Sequence, residues 1–186
     1  MRFKVTAILA AIIINPAIAQ FPISFTSEYI DFNVDTNYFS VNGIYSFTNL
    51  QDKINISTII FPFSEEAPLI DSIRIFNLNI LKGIKYERLE HAIKFGFQSL
   101  PLDTVDINIF YRQKLKDKNT YIFKSTKSWG TPLKKAVYTL TVSKNIKIAS
   151  LSFQPDSSSF NNSKRIYYWT KYNFMPDKEF DVIIDK

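Results

Sequence analysis

The chain has 186 residues, a formal charge of +6, no cysteine, one histidine and four glycines. That inventory excludes thiol catalysis, disulfide staples, multi-histidine metal centres and glycine-rich phosphate loops. Aromatic residues make up 16%, enough for a substantial core in a domain that disulfides cannot brace.

The first nineteen residues read as a secretory signal. Arg2 and Lys4 form a charged start, residues 5–14 are apolar apart from Thr6, and Ala17-Ile18-Ala19 offers a cleavage site before Gln20. The run is too short for an ordinary membrane-spanning helix, and no second run of membrane length follows. The expectation is an exported mature chain, 20–186, forming one domain in the periplasm or outside the cell.

Beyond it, alternating apolar residues mark successive strands. Tyr29, Ile30, Phe32 and Val34 open the first. Phe39, Val41, Tyr45 and Phe47 form the second, with Gly43 as a candidate bulge. Ile54, Ile56, Thr58 and Ile60 return antiparallel until Phe61-Pro62-Phe63 ends the strand. Strands are expected over 73–81 and 84–89, with Lys82-Gly83 as a tight turn, and another through Ile93, Phe95 and Phe97.

The stretch 105–142 reads as the middle of an antiparallel sheet. Val105, Ile107, Ile109 and Tyr111 alternate, and residues 116–119 suit a hairpin turn. Tyr121-Ile122-Phe123 returns, 129–133 reverses the chain with Trp129 as a buried anchor, and Ala136, Tyr138, Leu140 and Val142 again share a face. Strands follow over 146–153, 166–174 and 180–184, while 154–163 (QPDSSSFNNS) reads as a mobile loop. Ten to twelve evenly spaced strands without a helical period predict an all-β antiparallel sandwich.

Several fragments recur in a recognisable order: Tyr45-x-Phe47-x-Asn49, Phe61-Pro62-Phe63, Tyr111-Arg112-Gln113, Trp129-x-x-Pro132-Leu133 and Phe174-x-Pro176-x-x-Glu179-Phe180. This order resembles bacterial secreted proteins grouped as domain of unknown function 4424. The first half is also similar to the opening hairpin of vault and inter-α-trypsin inhibitor domains. Phe63-Ser64 departs from the Leu-Pro pair common in the first group. The resemblance implies a secreted β-sandwich and carries over no catalytic residue.

Chemistry-bearing residues are sparse. A Ser-His-Asp triad would need His91, whose neighbours Glu87 and Glu90 suit a surface ion pair instead. The pairs Glu65/Glu66, Glu87/Glu90 and Asp103/Asp106 would serve a glycan-cleaving enzyme only if folding set them at a working separation. No metal site, cofactor or catalytic residue is expected. Trp129, Tyr167 and Trp169 are candidates for an aromatic ligand platform. Tyr168 and Tyr172 point away from Tyr167 and Trp169, because strand side chains alternate.

Charge is uneven: residues 112–147 hold ten basic residues and only Asp117 on the acidic side. Lys134 and Lys135 fall in this block and are candidate contacts for an anionic ligand. Lysines split between two turns predict weak, salt-sensitive attraction to anionic polymers and no specific nucleic-acid recognition. The function expected is a non-enzymatic binding or structural protein of the bacterial envelope whose partner is a protein or glycan. The alternatives are a glycan-acting enzyme and an adhesin or pilus-like subunit completed by a donated strand.

Overall fold

Alternation of apolar and polar residues is carried into a two-layer β-structure. The computed structural model describes residues 22–67, 69–161 and 163–185; the expected signal and its cleavage site lie outside them. The described residues form fourteen strands: β1 (Ile23–Val34), β2 (Tyr38–Asn49), β3 (Asn55–Pro62), β4 (Ile70–Asn77), β5 (Lys82–Gly83), β6 (Tyr86–Arg88), β7 (Ala92–Ser99), β8 (Thr104–Lys114), β9 (Lys118–Tyr121), β10 (Leu133–Ser143), β11 (Lys147–Leu151), β12 (Ser157–Asn161), β13 (Lys164–Phe174) and β14 (Phe180–Asp185). The two beyond the expected number are β5, read from sequence as a turn, and β12, read as a mobile loop. β12 pairs with β13 at the sheet edge through five exposed residues, so no apolar period announces it.

One layer is an eight-stranded sheet in the order β12-β13-β10-β1-β2-β8-β4-β5. The other consists of two three-stranded sheets, β11-β14-β9 and β3-β7-β6. The alternations of β8 (Val105, Ile107, Ile109, Tyr111) and β10 (Ala136, Tyr138, Leu140, Val142) are buried as the sequence predicts. Their connection is not the predicted meander. β9 leaves β8 and pairs with β14 in the opposite layer, and β10 then returns to run parallel to β1. Alternation fixes which face of a strand is buried, but not which sheet the strand joins.

A single core cluster fills the space between the layers. Phe32 illustrates its density: it stacks on Phe180 at 4.5 Å and on Phe39 at 5.7 Å, and meets Tyr121 edge-on at 5.3 Å. Each large side chain so buried contributes about 1.5–3 kcal/mol, the source of stability left to a chain without disulfides.

Two local departures from regular strand geometry set the shape of the space between the layers. The bulge lies not at Gly43 but in β1, where the register shifts between Phe25 and Ser27. Phe25 and Glu28 therefore both face inward, three residues apart. Gly43 is required for a different reason: the Tyr45 side chain folds back over it, and an added Cβ would sit 2.3 Å from the Tyr45 hydroxyl. Instead of a strand reversal at Trp129, a 3-10 helix occupies Lys124–Trp129 and ends at Gly130 in the left-handed region. Trp129 is half-buried there, not fully enclosed.

Candidate functional site

The second layer is split, and the split is where the site lies. β3 and β9 are edge strands of their separate sheets. The Phe63 N–H donates to the His91 carbonyl at 2.8 Å, so the paired residues of β3 are the odd-numbered ones facing β7. In an antiparallel ladder the alternate residues then direct their backbone groups away from the partner. Ile56, Thr58 and Ile60 thus present an unpaired edge toward β9 and the 3-10 helix.

The two edges are held together at one end. The Lys116 Nζ donates to the Glu66 carbonyl at 3.0 Å, and the Lys118 Nζ lies 3.8 Å from the Glu66 carboxylate and 3.5 Å from that of Asp181. Toward the other end the 3-10 helix stands in place of a strand. Its start is capped by Glu179, whose Oε2 accepts the N–H groups of Phe123 at 2.7 Å and Lys124 at 3.0 Å. The result is a cavity of about 500 Å³ between the layers, within the range of small-molecule sites.

Its floor is Phe25, Glu28, Tyr45 and Phe47 of the large sheet; one wall is β3, and the other is Tyr121, Ile122 and the 3-10 helix with Trp129. The lining runs from buried Phe25 and Glu28 to exposed Ile56, Ile60 and Ser128, so the cavity opens to solvent between β3 and the helix. Trp129 closes it laterally, its ring 5.6 Å from Phe47 and 5.9 Å from Phe25.

Glu28 is the unusual residue: only 2% of it is exposed. The Tyr138 hydroxyl donates to its Oε1 at 2.5 Å. Burial pushes its carboxyl from 4.5 up to about 7, partly offset by the Tyr138 hydrogen bond. Beside it the hydroxyls of Tyr45 and Tyr121 meet at 2.9 Å. Burial, followed by the Glu28 charge for Tyr45 and Tyr138, drives these phenols well above their ordinary range. Tyr121 is raised likewise, by burial first and then by Tyr45 and Glu28.

Of the five candidate ligand contacts read from sequence, Trp129 alone lines this cavity. Trp169 is buried in the core under β13, its indole N–H donating to the Phe153 carbonyl at 3.3 Å, with Tyr167 packed 6.4 Å away. Lys134 is exposed and Lys135 lies over the Tyr29 ring at 5.5 Å. Trp129, Tyr167 and Trp169 therefore do not form one platform. His91 stands at the surface 3.6 Å from Glu90, and Glu65, Glu66, Glu87 and Glu90 are exposed. No group of three or more metal-ligating side chains gathers among the described residues. Glu28 escaped the sequence reading because the apolar alternation is followed there only from Tyr29 onward; run one step back from Ile30, Phe32 and Val34, the same period aims it inward.

No family model matches the sequence, and no curated protein matches it. Solved structures do. A Legionella pneumophila protein provisionally named as nutrient-binding superposes with a TM-score of 0.67 at 15% identity, over 89% of this chain and 67% of that one. An M1 zinc metallopeptidase from Deinococcus radiodurans matches with a TM-score of 0.54 at 8% identity, over 88% of this chain and 42% of its own. A two-domain M1 zinc metallopeptidase bound to L-tryptophan gives 0.54 at 8% identity, over 89% of this chain and 43% of its own. This chain thus spans less than half of the metallopeptidases, and at these identities the likeness is one of fold.

Proposed function

We propose that this chain is an exported binding protein that takes a small, largely apolar molecule into the cavity between β3 and the 3-10 helix. The observation that carries the reading is the cavity itself: an aromatic-walled space opening to solvent, with one buried carboxyl in its floor. The signal-like segment 1–19 supports export. The nutrient-binding name of the Legionella structure supports a binding role, and the resemblance to secreted proteins of domain of unknown function 4424 agrees with export. No helix among the described residues is long and apolar enough to cross a membrane. The unpaired edge of β3 favours a second reading, in which an extended polypeptide adds to that edge.

Titration with the fluorescent apolar probe N-phenyl-1-naphthylamine separates the two. Saturable binding is expected, and Ser128→Trp at the exposed rim should weaken it by about tenfold while leaving the unfolding midpoint unchanged. A protein that takes up no probe, or whose affinity ignores the rim substitution, does not use this cavity for small molecules.

A further inference from the structure

The floor of the cavity carries one ionisable group capable of charging near neutrality. Glu28 uses Oε1 to accept from Tyr138. Its Oε2 has no hydrogen-bond partner among the described residues, yet no buried side-chain oxygen is both sealed and unsatisfied. The second oxygen therefore faces the cavity space.

Among the described residues, no lysine, arginine or histidine lines that space. Each element packed against Glu28 presents a neutral group: Tyr45 from β2, Tyr121 from β9 and Tyr138 from β10, all phenols kept protonated by burial. Tyr111 from β8, which adds to the shifts of Tyr45 and Tyr121, is raised in the same way. β3 contributes no titratable residue to the lining. The 3-10 helix has Lys124, which is turned to Glu179 at 3.5 Å, and exposed Lys127; neither lines the cavity. A negative ligand would meet a carboxyl with no counter-charge. A positive one would meet that carboxyl within walls of aromatic faces, which attract cations through the ring quadrupole.

We infer that the ligand carries an organic ammonium group, seated against the free oxygen of Glu28 and between the rings of Tyr45, Phe61, Tyr121 and Trp129. This rests on the reading of the cavity as a small-molecule site. The ammonium takes the place of the carboxyl proton: Glu28 releases its proton to solvent as the cation enters, so the buried charge is paired and not isolated. Because burial holds the free carboxyl near pH 7, cation binding strengthens as pH rises from about 5.5 to 8 and is accompanied by proton release.

The test uses benzyltrimethylammonium, its uncharged carbon isostere neopentylbenzene, and phenylacetate, each displacing N-phenyl-1-naphthylamine from the intact mature protein. At pH 8 the cation is expected to bind about tenfold or more tightly than the isostere, with phenylacetate weakest. At pH 5.5 the preference should shrink. Glu28→Gln keeps the shape and should abolish the preference for the cation over neopentylbenzene. The pH series on the unmodified protein carries the same information if that variant fails to fold. Equal binding of cation and isostere at pH 8, or a preference that ignores pH, overturns the ammonium assignment while leaving the cavity a binding site. Failure of all three compounds and of the probe overturns both.

Discussion

The hydroxyl of Tyr45, on the large sheet, lies 2.9 Å from the hydroxyl of Tyr121, on the edge strand of the opposite layer. It is a polar tie across an otherwise apolar gap, and it sits at the inner end of the cavity. Both rings are almost fully buried, and each hydroxyl has the other as its hydrogen-bond partner. Removing one leaves the other unsatisfied, at about 1–3 kcal/mol; removing both leaves nothing unpaired. Tyr45→Phe and Tyr121→Phe should therefore each lower stability in urea unfolding, and the double variant should lose less than the sum. Additive losses would show that the two hydroxyls act independently.

Glu28 gives a pH signature of its own. Its carboxyl titrates near 4.5 in the unfolded chain and near 7 in the fold. Below pH 4.5 both states hold the proton, and the residue has no effect on stability. Between 4.5 and 7 the unfolded chain releases its proton first, so native stability falls as pH rises, levelling off above 7. A shift of this size corresponds to about 3 kcal/mol. Glu28→Gln should match the unmodified protein at pH 4 and exceed it by up to that amount at pH 8, measured by urea unfolding across the range. A difference that does not change with pH would remove the buried, proton-holding carboxyl from the account.

The two tryptophans should behave differently. Trp169 is 1% exposed, packs edge-on against Phe180 at 5.4 Å and donates to a core carbonyl. Trp169→Ala should cost about 3–5 kcal/mol. Trp129 is half-buried on the cavity wall, and Trp129→Ala should cost roughly half as much while weakening uptake of an apolar probe. Equal losses in stability would place both in the core.

How much of the fold was legible depended on the length of unbroken alternation. β2, β8 and β10 keep period two over most of their length, and their buried faces follow from the letters alone. β1 does not: its bulge at Thr26 puts Phe25 and Glu28 on one face, and a reading that begins at Tyr29 never reaches the carboxyl. The passage of β9 into the second layer is a long-range choice, made by pairing Tyr121 with Phe180 some sixty positions away. The cavity results from that choice, because it is the space left between β9 with its 3-10 helix and the edge of β3. No local pattern encodes such a gap.

The basic block 112–147 is where the fold bears most directly on partners. Had its lysines shared one face, they would have made an anion-binding surface. They are divided and largely engaged instead. Arg112 pairs with Asp71 at 2.5 Å and stacks on Tyr38 at 4.1 Å. Lys116 and Lys118 serve the Glu66 clamp, Lys124 pairs with Glu179, and Lys147 with Asp185 at 2.7 Å. Lys135 lies over Tyr29 on the outer face of the large sheet. These exposed pairs add little stability, but each neighbouring carboxylate lowers the local positive potential. Binding to phosphatidylglycerol vesicles and to duplex DNA should be weak at low ionic strength and lost at physiological salt, where the screening length is about 8 Å. Sedimentation with vesicles at the two salt levels measures it. Retention at physiological salt would mean that the lysines left out of these pairs, Lys127, Lys134 and Lys144 among them, act together as an anionic-polymer site.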